Sequence, residues 1–90
     1  MNFSWDKAKS LKNEKKHGVT FHEAATVFDD PLAITFNDPE HSEGEYRFLT
    51  FGRSRFQRLL AVAHSDSDDE VRIISSRKMT RLEKNIYEQE

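Results

Sequence analysis

Arginine and histidine side chains fall on two consecutive strands that we predict in the second half of the chain. Arg58 and His64 belong to the first of these strands, and Arg72 and Arg77 belong to the second. Because side chains alternate between the faces of a strand, Arg58 and His64 share one face. A histidine beside guanidinium groups offers proton transfer near neutral pH together with permanent positive charge. That combination suits cleavage of RNA without a metal ion.

Such a cleavage needs three kinds of group around one phosphate. A base removes the proton of the 2′-hydroxyl, cations stabilise the extra negative charge at phosphorus, and an acid protonates the leaving 5′-oxygen. Arginine suits the second role because its planar fork matches phosphate oxygens and stays charged. His64 is one candidate for proton transfer. DNA lacks the 2′-hydroxyl, so we expect it to resist this reaction.

The register between the two strands, which the turn "DSDDE" joins as a tight hairpin, decides which arginine faces His64. If His64 pairs with Val71, Arg58 lies opposite Arg77, whereas a slip of one residue places His64 opposite Arg72. The sequence does not choose between these registers, because a one-residue slip turns every side chain to the other face. A purely structural interpretation also stands. Strand arginines are commonly solvated, and a histidine after the apolar run "LLAVA" can bond the backbone at a strand end.

A basic helix near the N-terminus is the second feature that could meet RNA. We predict that it begins after Asp6 and ends before Gly18, with His17 in its last turn. Its lysines form first of all a solvated helix face and secondly a surface that could follow phosphates; they are Lys7, Lys9, Lys12, Lys15 and Lys16. Helix capping and the helix dipole alone account for His17.

The elements that position these side chains follow the order β-α-α-β-β-β-β-α. The second helix opens with the capping box Thr20–Glu23 and closes before Pro31, and the third opens with the capping box Thr80–Glu83. We expect one compact α+β domain over residues 1–90, with its helices packed on an antiparallel sheet. The predicted strands are Asn2–Trp5, Leu32–Phe36, Tyr46–Gly52, Phe56–Ser65 and Val71–Arg77. The apolar stripes expected to face the core are Phe21, Ala24, Ala25 and Phe28 on the second helix, and Met79, Leu82 and Ile86 on the third.

Composition limits the class of protein. Ninety residues hold one hydrophobic core, and the absence of cysteine excludes disulfides and thiolate metal sites. The four histidines have no pair at a helical spacing that faces the same way, so we expect neither a metal site nor a cofactor. No apolar run approaches membrane-spanning length and no signal segment is evident, so we expect a cytoplasmic protein. The net charge of −2 hides alternating acidic and basic blocks, which leaves room for a local basic patch.

The order of these pieces resembles the BrnT family, toxins of bacterial type II toxin–antitoxin pairs. The resemblance rests on "WDKAKSLKNEKKHGVTFHEAATVFDDPLAITFND", then "HSEGEYRFLTFGRS", then "VRIISSRKMTRLEKNIYE", and it runs from Trp5 to Tyr87. Ser76 and Met79 stand where the family motif has alanines, and both are compatible with the fold. The resemblance implies a RelE-like fold and a ribonuclease that arrests translation and growth. It also implies a partner, a BrnA-type ribbon-helix-helix antitoxin, through which operator DNA is bound.

The resemblance also assigns residues to the site. Arg72 and Arg77 lie in the matched segment "RIISSRK", Glu45 and Arg47 in "EGEYR", and His17 in "KHGVTF". RelE-like toxins further point to a C-terminal tyrosine. Together with the reasoning from strands, the expected catalytic residues are Arg58, His64, Arg72, Arg77 and Tyr87, and the expected RNA-binding residues are Lys12, Lys16, His17, Arg47 and Arg53. The alternative interpretation is a non-catalytic module that binds the antitoxin or acts as a co-repressor of its own operon.

Overall fold

Three helices and five strands make up the computed structural model, which describes residues 1–39 and 46–89. The observed order, β-α-α-β-β-β-β-α, confirms the predicted α+β class. A 3-10 turn, Val27–Asp29, continues the second helix. Two residues of the sequence analysis, His41 and Glu45, lie outside the described residues. The elements are β1 (Asn2–Ser4), α1 (Lys7–His17), α2 (Phe21–Thr26), β2 (Ile34–Asn37), β3 (Arg47–Arg53), β4 (Leu59–Ser67), β5 (Glu70–Lys78) and α3 (Arg81–Glu88).

The capping residues that the sequence predicts for α1 and α3 are the ones that begin and end these helices in the structure. The Asp6 side chain accepts a backbone N–H of the first turn of α1 at 3.1 Å. Gly18 ends the helix in the left-handed conformation, with φ of 69°. Thr80 and Glu83 form a complete capping box at the start of α3. These boundaries depend on neighbouring residues only, and all of them are confirmed.

The described strands form one sheet in the order β1-β5-β4-β3-β2. Neighbours from β2 to β5 are antiparallel, as predicted, but β1 pairs with β5 in parallel, so the sheet is mixed. A parallel pair needs a long connection, which the chain between Ser4 and Glu70 supplies. The β4–β5 hairpin is tight, as predicted, and Asp68 at its turn has a φ of 48°.

The register of β4 against β5 differs from both predicted alternatives. His64 pairs with Ile73, whereas the preceding residue, Ala63, pairs with Ser75. Ile74 is therefore the extra residue of a β-bulge on β5. A bulge leaves the alternation of side chains intact on either side of it, so the period-two pattern does not reveal it. Both predicted partners of His64 are wrong because the β4–β5 turn is shorter than expected. Ser67 pairs with Glu70, and counting back from this pair places His64 opposite Ile73 before the bulge is reached.

The start of β4 also differs from the prediction. The chain turns between Ser54 and Arg58, with the Ser54 N–H donating to the Arg58 carbonyl at 2.8 Å, and the strand begins only at Leu59. Arg77 pairs with Ala61. The predicted arrangement of Arg58 opposite Arg77 is therefore wrong, because Arg58 precedes the strand.

Helices cover both faces of the sheet. The first cluster of buried residues joins α2 and its surroundings to β4 and β5; it contains Val19, Phe21, Ala24, Val27, Leu60, Val62, Val71 and Ile73. The second cluster joins α3 to β3 and β4 and contains Phe51, Ala61, Met79 and Tyr87. Leu60 and Ala61 are consecutive on β4, so the two clusters lie on opposite faces. We call these the α2 face and the α3 face.

The side of α3 that faces the sheet is not its predicted apolar stripe. Leu82 and Ile86 remain 69% and 38% exposed, whereas Tyr87 is 5% exposed. Glu83 and Tyr87 lie four residues apart on one side of the helix, and polar contacts with the sheet region hold both of them. The predicted burial of Leu82 and Ile86 is therefore wrong.

A buried asparagine, Asn13, hydrogen-bonds the backbone of β5 at a position where β1 no longer pairs with that strand. The Asn13 amide donates to the Ser76 carbonyl at 2.8 Å and accepts the Ser76 N–H at 3.0 Å. It also donates to the Val19 carbonyl at 3.0 Å. Because β1 pairs only with Glu70–Arg72, this stretch of β5 would otherwise present an open edge. Asn13 therefore fixes α1 along β5.

Candidate nucleic-acid interface

A groove of about 450 Å³ lies where β3 ends and β4 begins, with α3 as its other wall. Four of its lining side chains are cations and one is a carboxylate; the lining residues are Arg53, Gln57, Arg58, Leu59, Lys78, Lys84 and Glu88. We call it the strand-end groove. Cations clustered in this way attract phosphate groups even on a chain with a net charge of −2, because the local potential dominates at short range.

Arg58 is held at this groove by a buried glutamate of α2. Its Nε donates to Glu23 Oε2 at 2.8 Å and its Nη2 donates to Oε1, while Ser54 Oγ donates to Oε2 at 2.7 Å. Arg58 Nη2 also donates to the Gly18 carbonyl at 3.0 Å. The guanidinium holds the pKa of Glu23 below its ordinary value, although burial acts in the opposite direction. Arg58 is thus fixed in position while its side chain stays 32% exposed.

The predicted RNA-binding residue Arg53 lies beside the predicted catalytic residue Tyr87. Asp30 joins them, since its Oδ2 accepts the Arg53 backbone N–H at 2.8 Å and the Tyr87 hydroxyl at 2.6 Å. Burial and the Asp30 carboxylate raise the pKa of Tyr87, and Arg53 opposes this rise. Burial also acts to raise the pKa of Asp30, but its hydrogen bonds hold that pKa below the ordinary value. The phenol therefore stays protonated at neutral pH and ties α3 to the end of β3.

A glycine allows Asp30 to reach this position. A Cβ on Gly52 would lie 2.5 Å from Val27 Cγ1 and 3.2 Å from Ala33 Cβ. The 3-10 turn can pack this closely on β3 only because Gly52 has no side chain. Asp30 follows the turn directly, so the close approach brings its carboxylate to the end of the strand.

A second basic groove, of about 290 Å³, lies between α1 and the edge of β5. Its lining residues are Lys9, Lys12, Asn13, Lys16, His17, Ile74 and Ser75. We call it the α1 groove. Three of the residues predicted to bind RNA, Lys12, Lys16 and His17, come together here. His17 is the last residue of α1, so its place at a helix end and its place in a basic groove are both observed.

The predicted sheet arginines share the α3 face but do not converge. Arg47 and Arg72 flank Ser65, the β4 residue with which both pair. Arg77 lies five residues further along β5 than Arg72, which corresponds to roughly 16 Å of strand. Its guanidinium donates to both carboxylate oxygens of Glu83, at 2.6 and 2.9 Å. The structure therefore does not hold Arg72 and Arg77 together in one site.

His64 is a core residue of the α2 face. It is 1% exposed, its Nε2 lies 2.7 Å from Thr50 Oγ1, and its Nδ1 lies 2.7 Å from Asp66 Oδ1. The rings of Phe28 and Phe48 pack against it, with centroids 4.9 and 5.7 Å away. Burial lowers the pKa of His64, an effect that Asp66 opposes. The expected surface site that combines this histidine with a facing arginine does not form.

Sequence reasoning missed several residues that the structure brings to the strand-end groove. Lys84 and Glu88 are four residues apart on α3, a spacing that could have marked them as neighbours. Lys78 is the last residue of the matched segment "RIISSRK", in which only the arginines were named as site candidates. Asp30 precedes Pro31, where the sequence predicts only the end of a helix, and no local signal shows that it meets Tyr87, 57 residues away.

The charges of the described segments are separated along β5. Acidic residues of the β4–β5 turn, Asp66, Asp68, Asp69 and Glu70, line a pocket of about 240 Å³ at the end opposite to the strand-end groove. Within residues 1–39 and 46–89, no group of three or more His, Cys, Asp or Glu side chains is arranged to hold a metal ion. None of the helices described for these segments is both long and apolar enough to cross a membrane.

Comparisons with known proteins agree with the family resemblance. The family profile described as "Ribonuclease toxin, BrnT, of type II toxin-antitoxin system" matches residues 5–83. A search of curated protein sequences finds no significant match. The crystal structure of the Brucella abortus ribonuclease toxin BrnT has the same fold, with a TM-score of 0.69 and 21% identity over 90% of this chain and 99% of that one. The chain therefore belongs to the BrnT family of ribonuclease toxins of type II toxin–antitoxin systems, which implies an antitoxin partner.

Proposed function

We propose that this chain is a metal-independent endoribonuclease and that it cuts RNA in the strand-end groove. The observation that carries the proposal is the convergence of four cations, from β3, the β3–β4 turn, β5 and α3, on one groove. Membership of a ribonuclease toxin family supports it. Glu23 holds the Arg58 guanidinium in place, and Asp30 holds the backbone of Arg53. A preorganised cation such as Arg58 stabilises a charged transition state without having to move.

The lining residues suggest how the reaction proceeds. Glu88 accepts the proton of the 2′-hydroxyl, the 2′-oxygen forms a bond to phosphorus, and the bond from phosphorus to the 5′-oxygen breaks. Arg53 and Arg58 stabilise the negative charge that develops on the phosphate oxygens. Lys84, one helical turn before Glu88, protonates the leaving oxygen. The products are a cyclic 2′,3′-phosphate and a free 5′-hydroxyl. His64 and Tyr87 are not lining residues of the groove, and Tyr87 acts on the site by holding Asp30 beneath Arg53.

Cleavage of a fluorescent single-stranded RNA by the purified chain in EDTA tests this proposal. We expect Arg53→Gln to lower kcat by about 100-fold, the usual effect of losing one group that stabilises transition-state charge. Arg81→Gln makes the same charge change at an exposed position of α3 outside the groove lining, and it should leave the rate near that of the unaltered chain. Glu88→Gln should abolish cutting while the RNA still binds.

The same assay tests the site predicted from the strands. Loss of cleavage in Arg72→Gln, with cleavage retained in Arg53→Gln, would place the reaction on the α3 face of the sheet instead of the groove. Unfolding midpoints in urea, measured for each variant, separate an effect on the reaction from an effect on folding. Absence of cleavage by the unaltered chain under all conditions would contradict the nuclease assignment.

We further propose that cleavage arrests translation and growth, and that a BrnA-type ribbon-helix-helix antitoxin suppresses it and carries the binding to operator DNA. Support comes from α3, which carries Lys84 and Glu88 of the groove together with the exposed Leu82 and Ile86. A partner segment with apolar and acidic residues that covers α3 would close the groove and bury the apolar pair. Expression of the chain alone should stop growth, and co-expression with the antitoxin should restore it. A tight complex without any toxicity would favour the co-repressor alternative.

A further inference from the structure

The α1 groove holds positive charge that the proposed cleavage does not use. Lys9, Lys12 and Lys16 lie at positions i, i+3 and i+7 of α1, so they project from one side of the helix. Asn13 lies on that side too, and its two hydrogen bonds to Ser76 turn it toward β5. No acidic residue belongs to the lining of this groove among the residues that the structure describes.

The two basic grooves are neighbours at the C-terminal end of α1. His17 lines the α1 groove, and the next residue, Gly18, accepts a hydrogen bond of 3.0 Å from Arg58, which lines the strand-end groove. β5 joins the grooves as well, since Ser75 lines one and Lys78 the other. Three residues of strand correspond to roughly 10 Å. The two grooves are therefore close enough for the phosphates of one strand to occupy both.

We propose that the α1 groove is a second phosphate-binding subsite for the RNA strand that is cut in the strand-end groove. This inference rests on the proposed function. Lysine ammonium groups bind backbone phosphates without reading the bases, so the subsite recognises the strand and not its sequence. A single strand is flexible enough to follow a path that turns around the end of a helix. The preferred substrate is therefore single-stranded RNA that is long enough to occupy both grooves.

Two matched double variants test the subsite. Lys12→Gln with Lys16→Gln removes two charges from the groove, and Lys7→Gln with Lys15→Gln removes two from exposed positions of the same helix outside the groove lining. Rates are compared for RNA of about 4 and about 12 nucleotides, a short and a long length within the usual range of single-strand site sizes. The quantity compared is kcat/KM for the long RNA divided by kcat/KM for the short RNA. We expect this ratio to fall by about 10-fold in the first variant, mainly because KM for the long RNA rises when phosphate contacts are lost. The second variant should keep the ratio of the unaltered chain.

A binding measurement separates the subsite from catalysis. Fluorescence anisotropy with an uncleavable 2′-O-methyl RNA gives the slope of log K against log salt, which changes by about 0.7 for each phosphate contact to a single strand. We expect the slope to weaken by about 1.4 in the groove variant and to stay unchanged in the control variant. Equal slopes for the two double variants would overturn the subsite even if cleavage is found. A clear difference in slope without any RNA cleavage would overturn the nuclease function and leave the subsite standing.

Discussion

The ion pair between Glu23 and Arg58 serves both the stability of the fold and the geometry of the proposed site. A buried carboxylate is costly unless it is fully paired, and Glu23, at 4% exposure, has two donors from Arg58 and one from Ser54. The same contacts fix the Arg58 guanidinium at the edge of the strand-end groove. The residue that positions a proposed phosphate-binding cation is thus also a residue on which folding depends.

Replacement of Glu23 by Gln tests this dual role. The arginine holds the folded-state pKa of Glu23 below its ordinary value of 4.5, so the stabilisation is fully present above that value and is lost as the pH falls through the folded pKa. We expect Glu23→Gln to lower the free energy of unfolding by roughly 1–3 kcal/mol at pH 7, the range for a hydrogen-bonded buried charge. The difference from the unaltered chain should shrink as the pH falls below the ordinary pKa of 4.5, as measured by urea denaturation at several pH values. Glu14→Gln, at an exposed position of α1, is the control, and an equal loss in both variants would contradict the argument.

Residues were predictable from the sequence where their partners are close in the chain. Asp6, Gly18 and Thr80 are examples, because each caps a helix through groups within a few residues. Glu23 shows the limit. Its backbone N–H bonds Thr20 as the capping box predicts, but its carboxylate binds Arg58, 35 residues away. Helix spacing contains no information about such a partner.

At the scale of elements, the approach of the 3-10 turn to β3 sets the geometry of the groove. Gly52→Ala should therefore disturb the site as well as stability, because the new Cβ would meet the stiff, fully buried side chain of Val27. We expect a loss of roughly 1–3 kcal/mol in the free energy of unfolding, as for other overpacked cores. RNA cleavage should fall as well, since Asp30 would be pushed away from Arg53.

A double-mutant cycle identifies the cause of this loss. In a Val27→Ala background, the atom that the alanine would meet is absent, so Gly52→Ala should cost much less than in the unaltered chain. Unfolding free energies of the two single variants and of the double variant give the coupling directly. An equal cost in both backgrounds would mean that backbone freedom at Gly52, and not the close contact, explains the effect.

Element type was more predictable than element pairing. The order of helices and strands follows from periodicity, but the register of a strand pair does not. The turn between Ser67 and Glu70 is shorter than expected, and it places His64 opposite Ile73 instead of either predicted partner. The expected catalytic role of His64 depended on that register. In contrast, Lys12 and Lys16 needed only helical spacing to share a side of α1, and the structure places them in one groove.

For the whole molecule, the distribution of charge matters more than its total. A net charge of −2 would predict weak repulsion of a polyanion, yet the acidic turn and the strand-end groove lie at opposite ends of β5. An approaching strand of RNA therefore meets a basic end and an acidic end. Such asymmetry orients a charged ligand before contact, and its effect declines as salt screens it.

Single-stranded DNA separates this electrostatic attraction from the proposed chemistry. DNA carries the same phosphates as RNA, so we expect binding with a similar salt slope in anisotropy measurements. It lacks the 2′-hydroxyl, so the proposed reaction has no nucleophile and no product should form on prolonged incubation. A DNA strand with one ribonucleotide should be cut only on the 3′ side of that nucleotide, which gel electrophoresis resolves. Cleavage of the all-DNA strand would show that the attacking oxygen comes from water, and the role proposed for Glu88 at the 2′-hydroxyl would have to be abandoned.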